Sequence, residues 1–278
     1  MNVLLKACLF FYLGASTVIA DSHQPDSGFL NKKSFVSNFD AVCGLGKILQ
    51  TGCEAIRARE IVDASTAPWK AIGRVNFSST RTRQHCTGTL ISEKVVLTAA
   101  HCLYNFSRKT WIPPESIVFV AGFQRGSGVS VSHGQSFILD EVENTTSRDF
   151  RSAPDQDWAL IVLEKPIGRE VGYLDLSQSD PGYFEQADFK LAGYSSLRPN
   201  VLSVASDCAQ PLKSSPHILL QRCSAMKGDS GAPLLVFEDG EYLVAGVFST
   251  IVSSGDNFMS LAISTSEFSG ALDSFQNR

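Results

Sequence analysis

The chain has 278 residues, of which 44% are hydrophobic and 19% are charged, so it is long and apolar enough to bury a substantial core. Its formal charge is -4 at pH 7, and no run of Lys and Arg occurs along it. This composition excludes the basic surface that nucleic-acid binding requires, and we expect no nucleic acid among its partners.

The first 20 residues have the order of an export signal. Lys6 precedes an apolar run that ends in small residues before Asp21. The run is shorter than the roughly 20 residues that a membrane-spanning helix needs, which disfavours the alternative of an uncleaved anchor. We therefore predict cleavage after Ala20, a secreted or periplasmic protein, and no membrane attachment once the signal 1–20 is removed.

Residues 21–60 are polar and irregular, and we interpret them as a pro-segment or an N-terminal extension. Residues 61–278 carry short β-branched runs separated by turn formers, which predict an all-β domain. These runs are Lys94–Thr98, Ser116–Gly122, Trp158–Leu163, Pro233–Phe237 and Tyr242–Phe248. Only the last stretch, 266–275, has the pattern of a short helix.

Seven cysteines are present, and six remain after removal of the signal because Cys8 lies within it. An even number in an exported chain favours three disulfides, although six cysteines permit many pairings. Proximity along the chain suggests these pairs: Cys43 with Cys53, Cys86 with Cys102, and Cys208 with Cys223. The sequence has no CxxC pair and no tight Cys/His cluster, so we expect neither a metal site nor a cofactor.

The hexapeptide from Gly228 to Pro233, GDSGAP, has the composition of a turn that exposes a nucleophile. Glycines on both sides of Ser230 let the backbone turn sharply and leave the hydroxyl accessible. Such a turn directs two amides to one point, so the N–H groups of Gly228 and Ser230 form a candidate oxyanion hole. Taken alone, the string is also compatible with an ordinary turn.

A serine hydroxyl needs a base, and His101 stands directly after an apolar strand, in the string TAAHC. A neutral imidazole can take the serine proton and return it to a leaving amine. Asp157 precedes another apolar run and is the candidate acceptor that fixes the imidazole tautomer. Asp155 is the alternative. We favour Asp157 because the following run would carry it into the core, where an unpaired carboxylate is costly.

With its TAAHC, DWAL and GDSG motifs in this order, the chain resembles the trypsin/chymotrypsin family of serine peptidases. Pro68–Arg74 and Ala192–Tyr194 are similar to the bacterial-type exported trypsin-like peptidases related to glutamyl endopeptidases. The resemblance covers nearly all of 61–278. It implies two six-stranded antiparallel Greek-key barrels with the active site between them, and an acyl-enzyme mechanism on protein or peptide substrates. We expect a monomer.

In this family the residue six positions before the serine sets side-chain preference, and here it is Ser224 in place of the carboxylate that selects Arg and Lys. The region 246–250 also lacks the histidine with which glutamyl endopeptidases read acidic side chains. The pocket walls that the resemblance implies are Ser224, Ser249 and Ile251. They predict an uncharged site for apolar or small side chains.

Ile61 begins a stretch that resembles the N-terminus that many family members expose by cleavage, although Glu60 precedes it in place of arginine. A new ammonium at Ile61 would pair with Asp229 and order the oxyanion hole, whereas a cut after Arg59 would leave Glu60 in front. The alternative is that 21–60 only extends the fold.

A catalytically inactive binding protein on a protease fold is the alternative from another functional class. Such proteins usually lack a member of the triad, whereas His101, Asp157 and Ser230 are all present here. The order His, Asp, Ser also differs from that of α/β-hydrolase esterases. The sequence therefore favours a serine endopeptidase.

Overall fold

The computed structural model describes most of the chain after residue 52. The described residues are 44–45, 48–49, 53–78, 83–178, 187–213, 215–254 and 257–277. The signal predicted at 1–20 and the half-cystine predicted at Cys43 lie outside them. Within the described part, no helix is long and apolar enough to cross a membrane.

Four short elements precede the main body of the fold. They are strands β1 (Gly44–Leu45) and β2 (Ile48–Leu49), helix α1 (Cys53–Ala58) and strand β3 (Glu60–Ile61). β1 and β2 pair antiparallel, and α1 buries Cys53 and Ile56. The domain boundary predicted between 60 and 61 falls inside β3, so the segment before it continues directly into the fold.

The first half of the chain closes into a barrel of six antiparallel strands. In chain order its elements are β4 (Ile72–Ser78), β5 (Arg83–Leu90), β6 (Val95–Thr98), the outlying hairpin β7 (Tyr104–Asn105) and β8 (Thr110–Trp111), β9 (Ile117–Ala121), β10 (Ser130–Leu139) and β11 (Ala159–Leu163). The barrel order is β10-β11-β6-β5-β4-β9. Every residue of β6 and β11 is buried, which explains their uninterrupted apolar runs, while β9 alternates with a period of two.

The second half forms an eight-stranded antiparallel sheet. Its strands are β12 (Phe189–Gly193), β13 (Ser203–Cys208), β14 (Leu212–Lys213), β15 (Ile218–Gln221), β16 (Pro233–Glu238), β17 (Glu241–Ser254) and β18 (Asn257–Ser264), joined by β3. The order is β14-β15-β18-β17-β16-β12-β13-β3. Six main strands are present as expected, and the two-residue strands β14 and β3 extend the sheet at its ends. Among the described residues, no pairing between β3 and β14 closes it.

Helices are few and short. Besides α1, those in the described residues are α2 (Gly168–Val171), α3 (Ser269–Gln276) and the 3-10 helices Trp69–Ala71, Ala100–Leu103, Pro114–Ser116 and Thr265–Glu267. α3 buries Leu272, and Phe268 before it packs on Trp158 with ring centroids 6.1 Å apart. The all-β prediction, the five predicted strand runs and the C-terminal helix are confirmed.

One buried core joins the barrel and the sheet. Phe119 of β9 and Ile263 of β18 belong to the same apolar cluster. Tyr194, also in this cluster, is fully buried and donates its hydroxyl to the carbonyl of Phe123 at 2.9 Å. Burial raises the pKa of Tyr194 well above its usual value, so the hydroxyl stays a neutral donor. The two halves are therefore packed against each other, and side chains at their facing edges have defined positions.

Candidate active site

The strand pairing of the barrel brings His101 and Asp157 together. His101 lies in the 3-10 helix that follows β6, and Asp157 lies two residues before β11. β6 and β11 are antiparallel neighbours, with Thr98 opposite Ala159. The end of one strand therefore lies beside the start of the other, and the two residues leave the barrel at the same edge.

Asp157 holds His101 by two contacts, one to the imidazole and one to the backbone. Its Oδ2 lies 2.7 Å from His101 Nδ1, and its Oδ1 accepts the backbone N–H of His101 at 2.8 Å. The hydroxyl of Ser249 donates to Oδ2 at 2.5 Å. Because an ionised carboxylate only accepts, it places a proton on Nδ1 and leaves Nε2 as the acceptor. The alternative acid, Asp155, makes no hydrogen bond to His101 among the described contacts.

Ser230 lies in a turn that requires glycine at two positions, Gly228 and Gly231. Gly228 has φ +95°, and a Cβ there would lie 2.5 Å from the carbonyl oxygen of Tyr194. Gly231 has φ +80°, and a Cβ there would lie 2.2 Å from the carbonyl oxygen of Thr87. Left-handed backbone and close approach both require glycine, which accounts for the GDSG string. The turn leads directly into β16 and presents the hydroxyl of Ser230 at the edge of the sheet.

The amide groups of this turn divide into two sets. Asp229 N donates to the carbonyl of Met226 at 3.0 Å, and Gly231 N donates to that of Phe248 at 2.7 Å. The N–H groups of Gly228 and Ser230 donate to no acceptor in the part of the chain that the structure describes. These two amides are thus available to an incoming oxyanion, as the oxyanion-hole prediction requires.

His101 and Ser230 line one cleft of about 360 Å³, together with Gly228 and His85. The Ser230 hydroxyl donates to the carbonyl of Ser249 at 3.5 Å. No hydrogen bond between His101 and Ser230 is formed among the described residues. In proteases without substrate this contact is often long and tightens only in the substrate complex. Both side chains line the same cleft, and proton transfer from serine to imidazole requires them to come closer when substrate binds.

Residues 59–271 match the family model described as Trypsin. This chain belongs to the trypsin family. It is 27% identical over 217 residues to urokinase-type plasminogen activator of Gallus gallus, covering 67% of this chain and 49% of that protein. It is 29% identical over 189 residues to serine protease 23 of Bos taurus, covering 59% of this chain and 48% of the relative. The chain spans about half the length of these curated relatives.

Two solved structures have a similar fold. A Glu endopeptidase in complex with MPD aligns with a TM-score of 0.64 and 21% identity, over 79% of this chain and 97% of that one. A thermostable serine protease, AL20, aligns with a TM-score of 0.53 and 19% identity, over 72% and 94%. The resemblance to the trypsin family, with glutamyl endopeptidases among its structural relatives, is confirmed.

Disulfides support both parts of this trypsin-family site. Cys86 in β5 is bonded to Cys102, the residue after His101, and Cys208 in β13 is bonded to Cys223. Both pairings are as predicted. Cys53 is also disulfide-bonded, and its predicted partner lies outside the described residues.

The three predicted specificity residues occupy different environments. Ser224 is half-buried, and its hydroxyl and amide both contact the carboxylate of Asp207. Ile251 is 41% exposed in β17. Ser249 directs its hydroxyl to Asp157, so its side chain supports the imidazole partner and only its main chain runs beside Ser230. The uncharged pocket stays a prediction.

Thr87 in β5 supports the serine turn and was not identified from the sequence. Its hydroxyl donates to the carbonyl of Gly228 at 2.9 Å and accepts the amide of Tyr194 at 3.0 Å. Its own amide donates to the carbonyl of Ser230 at 2.9 Å. The sequence offered only a polar threonine next to Cys86 as a signal; its full burial, which demands hydrogen-bond partners, is seen in the structure.

Two groups of potential metal ligands occur in the described residues. They are Cys86 with His101 and Cys102, and Asp207 with Cys208 and Cys223. In each group both sulfur atoms belong to a disulfide and offer no thiolate. Each group therefore supplies a single imidazole or carboxylate, which is a poor donor set for a metal ion.

Proposed function

We propose that this chain is a serine endopeptidase that cleaves peptide bonds through an acyl-enzyme, with His101, Asp157 and Ser230 as its triad. The observation that carries the proposal is the two-point hold of Asp157 on His101 beside a serine turn with two free amides. Membership of the trypsin family supports the same reaction class. A carboxylate that orients the imidazole and preorganised amides that stabilise the oxyanion are both required by this chemistry.

The reaction follows from these positions. The Ser230 hydroxyl attacks the scissile carbonyl carbon and transfers its proton to His101 Nε2. The carbonyl oxygen becomes an oxyanion and accepts the N–H groups of Gly228 and Ser230. The imidazolium, stabilised by Asp157, then gives its proton to the leaving amine, and an ester on Ser230 remains. Water, deprotonated by the same imidazole, hydrolyses this ester and restores the hydroxyl.

An uncharged specificity pocket is part of the proposal. Ser224 and Ile251 carry no charge, and the carboxylate of Asp207 near Ser224 is already engaged by its hydroxyl and amide. We expect preference for apolar or small side chains before the scissile bond. Cleavage of a peptide library tests this, and a preference of about 100-fold for Arg or Glu would contradict it.

Export of the mature chain also belongs to the proposal. Three of its features support it: the predicted signal 1–20, the disulfides, and the trypsin-family fold. We propose a secreted or periplasmic monomer whose peptidase domain spans 61–278. N-terminal sequencing of the exported protein, with size-exclusion chromatography, tests the processing site and the monomeric state.

Labelling with an organophosphate tests the catalytic assignment. The purified protein should be modified at Ser230, and Ser230→Ala should lose the label and about 10⁶-fold in kcat, a scale taken from subtilisin. Ser127→Ala is the matched control, because Ser127 is exposed and only caps a surface turn. Full labelling of Ser230→Ala would overturn the assignment. A folded wild-type protein with neither label nor turnover would favour the inactive binding protein.

A further inference from the structure

A buried ion pair lies beneath the serine turn. Arg59 Nη1 lies 3.0 Å from Asp229 Oδ1, and Nη2 lies 3.0 Å from Oδ2. The two side chains are 1% and 0% exposed. The guanidinium and carboxylate thus meet face to face in a two-point contact, which is the strongest geometry for such a pair. Nη2 also donates to the carbonyl of Ser224.

The position of Asp229 links this pair to the proposed oxyanion hole. Asp229 stands between Gly228 and Ser230, the residues whose amides are free. Its Oδ2 accepts the amide of Met226 at 2.9 Å, and its Oδ1 lies where a Cβ on Gly193 would approach to 2.4 Å. The carboxylate is therefore packed among backbone groups, and a charge so buried requires a cation.

Arg59 is itself held by the surrounding structure. It follows helix α1 directly, and Arg198 donates to the backbone carbonyls of Arg59, at 2.9 Å, and of Arg57. The next two residues form β3, which pairs with β13. Ile61 lies in this strand with 49% of its surface exposed, whereas Asp229 is fully buried. An ammonium released at Ile61 would have to displace Arg59 to reach Asp229.

We propose that Arg59 is a positioning residue: its guanidinium is the internal cation that holds Asp229, and with it the Gly228–Ser230 turn, in the uncut chain. The proposal rests on the proposed function of that turn as an oxyanion hole. It follows that the ordered site does not depend on a new N-terminus at Ile61. It also follows that Arg59, whose side chain is buried, is poorly accessible to a protease that would cut after it.

Substitution of Arg59 in the full-length chain tests the proposal, with mass spectrometry confirming that the chain is uncut. Arg59→Ala should reduce kcat by about 100-fold or more while KM changes only a few fold. The unpaired Asp229 carboxylate should disorder the Gly228–Ser230 turn, whereas the residues that bind the substrate side chain keep their positions. Arg59→Lys, which keeps a cation without the two-point geometry, should be intermediate. Arg169→Ala is the matched control, because the Arg169–Glu93 pair is exposed and remote from the cleft.

Chemical rescue separates the charge from the shape. Millimolar methylguanidinium should restore activity to Arg59→Ala, whereas methylurea, which has nearly the same shape but no charge, should not. Equal rescue by both, or by neither, would contradict an electrostatic role. Arg59→Lys with hydrogen exchange carries the test if the alanine variant does not fold.

Hydrogen exchange of the 224–232 segment gives a readout that does not depend on turnover. It should be faster in Arg59→Ala than in the wild type. If Arg59→Ala left both the exchange rate and kcat unchanged, the role of Arg59 would be overturned. The same would follow if the uncut wild type were inactive and became active only after cleavage before Ile61. If neither cut nor uncut protein has activity or label, but exchange still responds to Arg59, the proposed function fails while the positioning role stands.

Discussion

The imidazole and its carboxylate are brought together by strand pairing within one half of the molecule, whereas the serine turn is held from several distant parts of the chain. His101 and Asp157 stand at the ends of two paired strands, β6 and β11, and the other half adds one hydrogen bond, from Ser249 to Asp157. The turn around Ser230 is instead supported by Thr87 of the barrel and by Arg59 before it.

This difference predicts where the site is robust and where it is sensitive. A change in the barrel pair should affect the chemistry and leave the fold nearly intact, because both residues lie outside the strands that form the core. A change at the serine turn should affect stability and activity together, because the turn is part of the contact between the two halves.

When the Ser230 nucleophile is left in place, the largest effect is expected from the barrel pair. Asp157→Asn should lower kcat by about 10⁴-fold, because the amide no longer imposes the Nδ1–H tautomer and no longer stabilises the imidazolium. Steady-state kinetics with a peptide substrate, together with thermal unfolding, measures both parts of the prediction.

Asp155→Asn is the control for this substitution, since it removes the same charge two residues earlier. It should leave kcat within a few fold of wild type. If Asp155→Asn and Asp157→Asn were equally damaging, the loss would come from charge in the loop and not from the contact with His101.

The second-largest effect is expected at the serine turn, where it is a loss in the free energy of unfolding. Gly231→Ala places a Cβ 2.2 Å from both the Thr87 carbonyl oxygen and Thr98 Oγ1. The left-handed backbone costs about 1–2 kcal/mol for any residue with a Cβ, and overpacking adds about 1–3 kcal/mol.

Gly240→Ala is the control that isolates the backbone cost, because Gly240 has φ +91° and nothing within 4 Å of its Cβ position. Urea unfolding of both variants should therefore give a larger loss for Gly231→Ala, and equal losses would mean that the turn adjusts freely.

The same difference explains which parts of the site could be predicted from the sequence. His101 and Asp157 each adjoin an uninterrupted apolar run, and such runs become paired, buried strands. The glycines around Ser230 indicate a turn that other residues cannot form. These are local signals, and with the family resemblance they were sufficient to predict the strands and two of the disulfides and to name the triad candidates.

The support of the serine turn could not be predicted because it depends on contacts between residues far apart in the chain. Arg59 and Asp229 are separated by 170 positions, and nothing near Arg59 distinguishes it from Arg57 or Arg198. Ser249 was assigned to the pocket wall because its position in the family pattern does not reveal where its hydroxyl points. The two end strands β3 and β14 were also missed, since two residues are too few for a strand period to show.

The smallest effect is expected from His85, a residue of β5 in the barrel. Its Nε2 lies 2.9 Å from the carbonyl oxygen of Tyr194, which follows β12 of the sheet. Burial is the main cause that lowers its pKa below the usual 6.5; Arg74 and Lys227 lower it further, while the Tyr194 contact and Asp229 oppose the shift. Because the folded state then binds a proton less readily than the unfolded state, the stability that neutral His85 supplies is complete above pH 6.5 and is lost as the pH falls toward its folded-state pKa.

His85→Gln keeps a donor for the carbonyl but does not titrate. Between pH 7.5 and 5.5 the free energy of unfolding of this variant should therefore fall less than that of the wild type, and the difference in slope should be at most about 1.4 kcal/mol per pH unit. The exposed His133→Asn is the control and should keep the wild-type slope; a wild-type slope in His85→Gln as well would show that acid sensitivity arises away from the contact between the halves.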